Sequence, residues 1–392
     1  MTRPVQIFPG SWRSSPVTLD NWQLPPWSHW GFSHVSEIVR TATISRELHD
    51  GSTPHDVPQS RGVVDEDYDE FMAETSTRAL IVERGGDLVG QWYAPDFSAD
   101  SKHLLMSVSK SVCGLLIGRL VQMYGIDLQQ TVAHFIPQLG QGAFGNATVQ
   151  QVLDMQVAVE YDETYHHPDS HVDQQDRVAG WRSPRPGDPA DTYKFLADLR
   201  SSGTHGERFQ YCSAATDVLA WLAEIWTGRR YPEIVSTHLW ARLGCEHDAL
   251  VTVDASGFAF ANGGIACTAR DLARVGRLVL DGGRRGDEQI VPQAWIEATR
   301  TGGRPEAAAG SLFQAIHPRG SYRNQWWVTG DERGSLYAAG IHGQFIWVDP
   351  ESDTVIVKFS AMHPAVSEHS SRLHAQHFRR LALANVAGRT LN

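Results

Sequence analysis

Leu104-Leu105-Met106-Ser107-Val108-Ser109-Lys110-Ser111 is the stretch on which the reading of this chain turns. It stands between a polar lead, Asp100-Ser101-Lys102-His103, and an apolar helix expected to run to about Met123. Ser107 and Lys110, three residues apart, fall on one helical face about one turn from each other. The helix N-terminus supplies partial positive charge and free backbone N–H groups. A serine oxygen held there beside an amine can pass its proton to that amine. An S-x-x-K tetrad alone arises by chance in chains of this length, so its weight rests on what lies downstream.

The chain has 392 residues, enough for one large domain or two smaller ones. Hydrophobic residues make up 41% and charged residues 20%, a balance typical of globular proteins. A formal net charge of −11 and the lack of a basic stripe argue against nucleic acid as a partner. No apolar run reaches membrane-spanning length, and Met1-Thr2-Arg3-Pro4-Val5-Gln6 lacks the apolar core of an export signal. Cys113, Cys212, Cys245 and Cys267 have neither metal-ligand nor disulfide spacing. These features point to a cytoplasmic protein with reduced thiols, no membrane partner, and no bound metal or organic cofactor.

Residues 1–75, rich in Pro, Ser and His, are expected to be irregular, with one helical patch near Val35 to Ala42. Ala79 to Arg84 and Leu88 to Tyr93, joined through Gly85-Gly86-Asp87, predict a β-hairpin. Helices are expected over Ser213 to Trp226, Ile234 to Leu243 and Thr268 to Leu280, with a last one over Ser371 to Val386. Gln325 to Val328, Leu336 to Ile341, Phe345 to Val348 and Thr354 to Phe359 read as four short strands. The early hairpin would join the late strands in one antiparallel sheet flanked by helices. The resulting division has an N-terminal lead at 1–75 and an α/β sheet domain of the α+β type from 76–103 and 250–392. A mainly helical insertion spans 104–249, with the active site at the seam.

A serine hydrolase needs a nucleophile, a base and donors for the developing oxyanion. Ser107 is the candidate nucleophile and Lys110 the candidate base. A free lysine titrates near about 10.4, so burial along the apolar helix must lower it. Tyr211, in Tyr211-Cys212-Ser213 just before a helix, can share a proton with Lys110 if its phenol reaches the same point. Ala338-Ala339-Gly340-Ile341-His342-Gly343 supplies a glycine-containing strand that lets substrate approach the backbone. There the Ile341 N–H can pair with that of Ser107 as an oxyanion hole.

S-x-x-K, then Y-x-S about a hundred residues later, then an x-x-G strand near the end, resembles the penicillin-recognising serine hydrolases with a β-lactamase/transpeptidase-like fold. Within them the chain is similar to the class C β-lactamase-like esterases and to the nylon-oligomer (6-aminohexanoate-dimer) hydrolases. Further resembling stretches are Gln151-Val152-Leu153-Asp154-Met155-Gln156, Gly187-Asp188-Pro189-Ala190-Asp191-Thr192-Tyr193 and Phe260-Ala261-Asn262-Gly263-Gly264. The resemblance covers roughly residues 75–390. It implies an acyl-enzyme on Ser107, proton relay by Lys110 and Tyr211, and a small ester or linear amide of 6-aminohexanoate type as substrate. It also implies substrate contacts at Tyr165, Asp176, Trp181, Asn262, Trp327 and His342, and a homodimer.

Two departures bear on substrate. Ser213 stands where many β-lactamases have asparagine, and Ala338-Ala339-Gly340 replaces Lys-Thr-Gly. Loss of that lysine and threonine removes groups that would grip a β-lactam carboxylate. The rival readings are a β-lactamase or D-Ala carboxypeptidase, and a domain that is acylated once without turnover. Blander alternatives exist for single residues. Asp176 can pair with neighbouring Arg177, Asn262 can serve a turn before Gly263-Gly264, and Tyr165 can be an ordinary loop tyrosine. His166-His167 with His171 reads as a polar loop rather than a metal site.

Overall fold

The two apolar runs on either side of Gly85-Gly86 fold back on each other as strands Thr77–Arg84 and Asp87–Tyr93. The first is buried over Thr77 to Val82 and sits inside a seven-stranded antiparallel sheet. Across that sheet the order is Asp87–Tyr93, Thr77–Arg84, Thr354–Ser360, Gln344–Asp349, Leu336–Gly340, Trp326–Val328 and Ser321–Arg323. The early hairpin and the late strands therefore share one sheet, joined where Val357 faces Ile81 and Ile356 faces Val82. The computed structural model describes residues 16–47 and 68–384.

Each face of the sheet is covered. Helices Asp69–Glu74 and Glu368–Leu383 close one side, where Phe71, Trp347, Ile356 and Phe378 pack together. Helix Ala269–Leu280 lies on the other side, capped by the Thr268 hydroxyl, which accepts from the Asp271 amide at 3.2 Å. Gly276 lets this helix press on the sheet, because a Cβ there would fall 2.5 Å from Val355 Cγ1. Beyond it the central helix, Val108–Tyr124, is buried almost all round from Val108 to Leu120. A helix apolar on every side belongs inside a protein, between layers. It packs against the sheet on one side and against helix Ser213–Thr227 on the other. This seam is where the tetrad's serine and lysine emerge.

Two expectations need correcting. The patch near Val35 to Ala42 is not a helix. A single 3-10 turn, Val35–Glu37, leads into strand Thr41–Ile44. That strand pairs antiparallel with Ala249–Thr252, Thr41 facing Thr252, in a second sheet with Ile265–Cys267 and His103–Leu104. The irregular lead thus holds a strand, and the rest of it lies partly outside the described residues. The expected helix over Ile234 to Leu243 is split into Tyr231–His238 and a 3-10 turn, Trp240–Arg242. Strand Ser321–Arg323 was not anticipated. The last helix ends at Leu383, and its expected extension to Val386 lies outside the described residues. The four cysteines are buried and unpaired.

Candidate active site

Met106 adopts a left-handed backbone, φ 49°, an uncommon conformation for a side chain that bends the chain sharply. The bend delivers Ser107 to the N-cap of the central helix, half-buried, with its hydroxyl on a cavity of about 310 Å³. One turn on, Lys110 is 1% exposed, and its ammonium nitrogen lies 2.9 Å from Ser107 Oγ and 2.8 Å from the Asn262 carbonyl oxygen. Burial lowers the amine from its ordinary value to about 8, against the pull of nearby Glu163 and Asp217. With its titration brought this close to physiological pH, a fraction of the lysine is uncharged and can accept a proton from a hydroxyl.

Tyr211 comes in from the turn before helix Ser213–Thr227 and lines the same cavity as Ser107. Its ring centroid is 5.3 Å from the Lys110 nitrogen. Burial, reinforced by the Glu163 charge, pushes the phenol well above its usual value. Tyr211 is therefore suited to hand on a proton as a neutral phenol, not to wait as a phenolate. Opposite these groups the strand Leu336–Gly340 passes close to Ser107. A Cβ on Gly340 would lie 2.6 Å from the Leu105 carbonyl oxygen and 3.0 Å from the Ser107 nitrogen. Ile341 follows directly and lines the same cavity. Ser107, Lys110, Tyr211 and Ile341, drawn from three distant parts of the sequence, thus converge.

The residues expected to contact substrate divide into two groups. Tyr165 and Trp327 line the cavity, the latter stacked on Tyr211 with ring centroids 5.6 Å apart. Asp176, Trp181, Asn262 and His342 are not among the lining residues. Trp181 is 3% exposed, edge-on to Trp22 and Phe260, and its indole N–H donates to Thr252 Oγ1 at 2.9 Å. His342 is buried with its Nδ1 2.8 Å from the Met362 carbonyl oxygen, and burial holds it at about 4. Asn262 reaches the chemistry through its backbone carbonyl on Lys110, while its side-chain amide donates to Asp217 Oδ2 at 2.8 Å. The Asp176 carboxylate lies 3.2 Å from Arg182, not on Arg177, which instead pairs with Asp173 and Asp188. Burial raises Asp176 to about 6.

Two acidic residues at the site were not singled out from sequence. Glu163 lines the cavity and accepts from the Ser213 amide at 2.9 Å, the Ser213 hydroxyl at 2.5 Å and the Tyr165 hydroxyl at 2.7 Å. The departure from Y-x-N to Y-x-S therefore has a structural correlate: the serine holds a carboxylate. Asp217 is fully buried and accepts from the Asn262 amide, the Asn262 side chain and Gln175 Nε2 at 3.1, 2.8 and 2.6 Å. Burial raises it to about 7. Its place one turn into helix Ser213–Thr227 is readable from sequence, but its partners come from elsewhere in the chain. Among the described residues no group of three or more His, Cys, Asp or Glu could hold a metal ion. Nor is any helix among them long and apolar enough to cross a membrane.

The beta-lactamase family model matches residues 64–378. A 6-aminohexanoate-dimer hydrolase of Paenarthrobacter ureafaciens is 47% identical over 365 residues, 92% of each chain. A solved structure of a candidate 6-aminohexanoate-dimer hydrolase from Bacillus anthracis superposes with a TM-score of 0.85 at 27% identity, covering 97% of this chain and 98% of that one. EstCE1, a hydrolase with promiscuous acyltransferase activity, matches at TM-score 0.62 and 14% identity over 78% of this chain and 94% of its own, a likeness of fold alone.

Proposed function

The chain belongs to the beta-lactamase family, and from that premise we propose that it is a serine hydrolase working through an acyl-enzyme on linear amides of 6-aminohexanoate type and on carboxylic esters. The observation that carries this reading is the 2.9 Å contact between Ser107 Oγ and a buried lysine amine lowered to about 8. In the reaction, Lys110 takes the Ser107 proton as the serine oxygen bonds the carbonyl carbon. The backbone N–H groups of Ser107 and Ile341 hold the resulting oxyanion. The bond from carbonyl carbon to the amide nitrogen or ester oxygen then breaks, and the leaving group takes a proton passed through Tyr211. Water repeats the sequence on the acyl-serine and frees the acid, returning the serine its proton.

Of the two carboxylates, Glu163 lines the cavity and can meet a free ammonium of an amino-amide, whereas Asp176 lies outside the lining and is shared with Arg182. No lysine or arginine lines the cavity, so a substrate carboxylate, whether of a β-lactam or of a 6-aminohexanoate dimer, meets no cation within it. Ser107→Ala is expected to abolish turnover of p-nitrophenyl acetate and of a 6-aminohexanoate dimer alike. Retained hydrolysis of either at a comparable rate would reject the assignment.

A further inference from the structure

The cavity that holds the Ser107 hydroxyl does not end at the catalytic groups. It continues past Ala339, Gly340 and Ile341 onto the face of the seven-stranded sheet covered by helix Glu368–Leu383. Cross-strand pairing puts Tyr337 beside Trp347 and Ala339 beside Phe345 on that face. Phe313 and Phe378 close it from the helices, and Ala375 leaves room beside them. Six large hydrophobic side chains stand exposed among the described residues. Two of these, Leu312 at 42% and Val366 at 52%, border this one cavity. Polar lining is confined to Ser107, Glu163, Tyr165 and Tyr211 at the catalytic end, the Tyr337 hydroxyl, and Ser371 on the covering helix.

Resting on the serine-hydrolase reading, we infer that this extension is a second, hydrocarbon-binding subsite that seats an uncharged alkyl arm of the substrate while the scissile carbonyl lies at Ser107. The charges sit at one end of the cavity and the aromatic walls at the other. A 6-aminohexanoate dimer, charged at both ends, would leave one charge facing those walls without a partner, which is costly, so of the two proposed substrate classes the ester is the one that fills this extension. An arm of methylene groups loses water-exposed surface there at no such cost. The volume, about 310 Å³, lies at the small end of the range for ligand pockets and suits a single chain. Substrate preference is thereby set on the sheet side, by residues that take no part in proton transfer.

The test is a chain-length series on the intact protein. p-Nitrophenyl esters from acetate to decanoate vary the acyl arm, and acetate esters of alcohols of increasing length vary the other. Wild-type kcat/KM is expected to rise roughly three- to fourfold for each added methylene in one of the two series, until the cavity is full. Ala375→Trp should abolish that rise, lowering kcat/KM on the long esters far more than on p-nitrophenyl acetate. Ala375→Leu, a smaller intrusion, should cut the rise short at an intermediate length. A flat or falling profile in both series, with acetate still turned over, would overturn the subsite and leave the catalytic reading standing. Absence of any ester or amide turnover in the wild type would overturn both.

Discussion

This molecule buries two lysines against serine hydroxyls, and the pair at Lys110 differs from the pair at Lys358 in everything that surrounds it. Lys110 touches Ser107, is 1% exposed, shares the Asn262 carbonyl, and has the Glu163 and Asp217 carboxylates nearby. Its amine is held at about 8, and its serine opens onto a cavity. Lys358, on strand Thr354–Ser360, is fully buried, hydrogen-bonds Ser360 and lies over the Phe71 ring at 5.2 Å. Burial alone drives it well below its ordinary value, and neighbouring His374 is driven down as well. Neither Lys358 nor Ser360 lines the cavity. A buried amine beside a hydroxyl is therefore not a catalytic site by itself. Chemistry at Lys110 also needs nearby carboxylates, which keep its basicity within reach of neutral pH, and an opening for the substrate.

The strongest way to break the comparison is to remove each amine in turn. Lys110→Met is expected to lower kcat by about 10²–10⁴, the range for loss of a positioned base, with the fold retained by circular dichroism. A comparable loss from Lys358→Met would erase the distinction. Next in size is the carboxylate effect. Lys110 must be neutral to accept a proton, so kcat/KM should rise with pH through about 8. Glu163 raises the lysine. Glu163→Gln should therefore move this acid limb to lower pH, with a loss at the optimum of about tenfold from the weakened hold on Ser213 and Tyr165. An unmoved limb would mean that Glu163 does not tune the base.

The smallest effect lies at the silent lysine. Burial lowers Lys358 well below its ordinary value in the folded state, so at a pH between the two values the unfolded chain binds more protons there. Folding then releases a proton, so this group's contribution makes stability rise with pH and costs stability at neutral pH. Lys358→Met should raise Tm by a few degrees at pH 7, more at lower pH, without changing turnover. Thermal melts at several pH values would read it, and an unchanged or lowered Tm at every pH would refute it.

Much of this was legible in the sequence where a signal is local. The hairpin around Gly85-Gly86, the central helix and the strands from Trp326 to Ser360 announce themselves through apolar runs and turn residues. Ser107, Lys110, Tyr211 and Ile341 could be named because each sits in a short motif tied to an element boundary. What could not be read depends on partners remote in sequence. Thr41–Ile44 resembles any short apolar patch until Ala249–Thr252 pairs with it. Glu163 and Asp217 are ordinary acidic residues until Ser213 and Asn262 are brought to them. The resemblance makes Trp181 a substrate contact, yet its indole N–H is taken by Thr252 and its ring packs on Trp22.

The most direct test of the central claim is rapid-quench mass spectrometry of the wild-type protein turning over p-nitrophenyl acetate, followed by peptide mapping. An acetyl group should form and decay on the peptide carrying Ser107, at rates fast enough to account for steady turnover. Turnover with the Ser107 peptide unmodified throughout, or with the label on Ser360 instead, would contradict it.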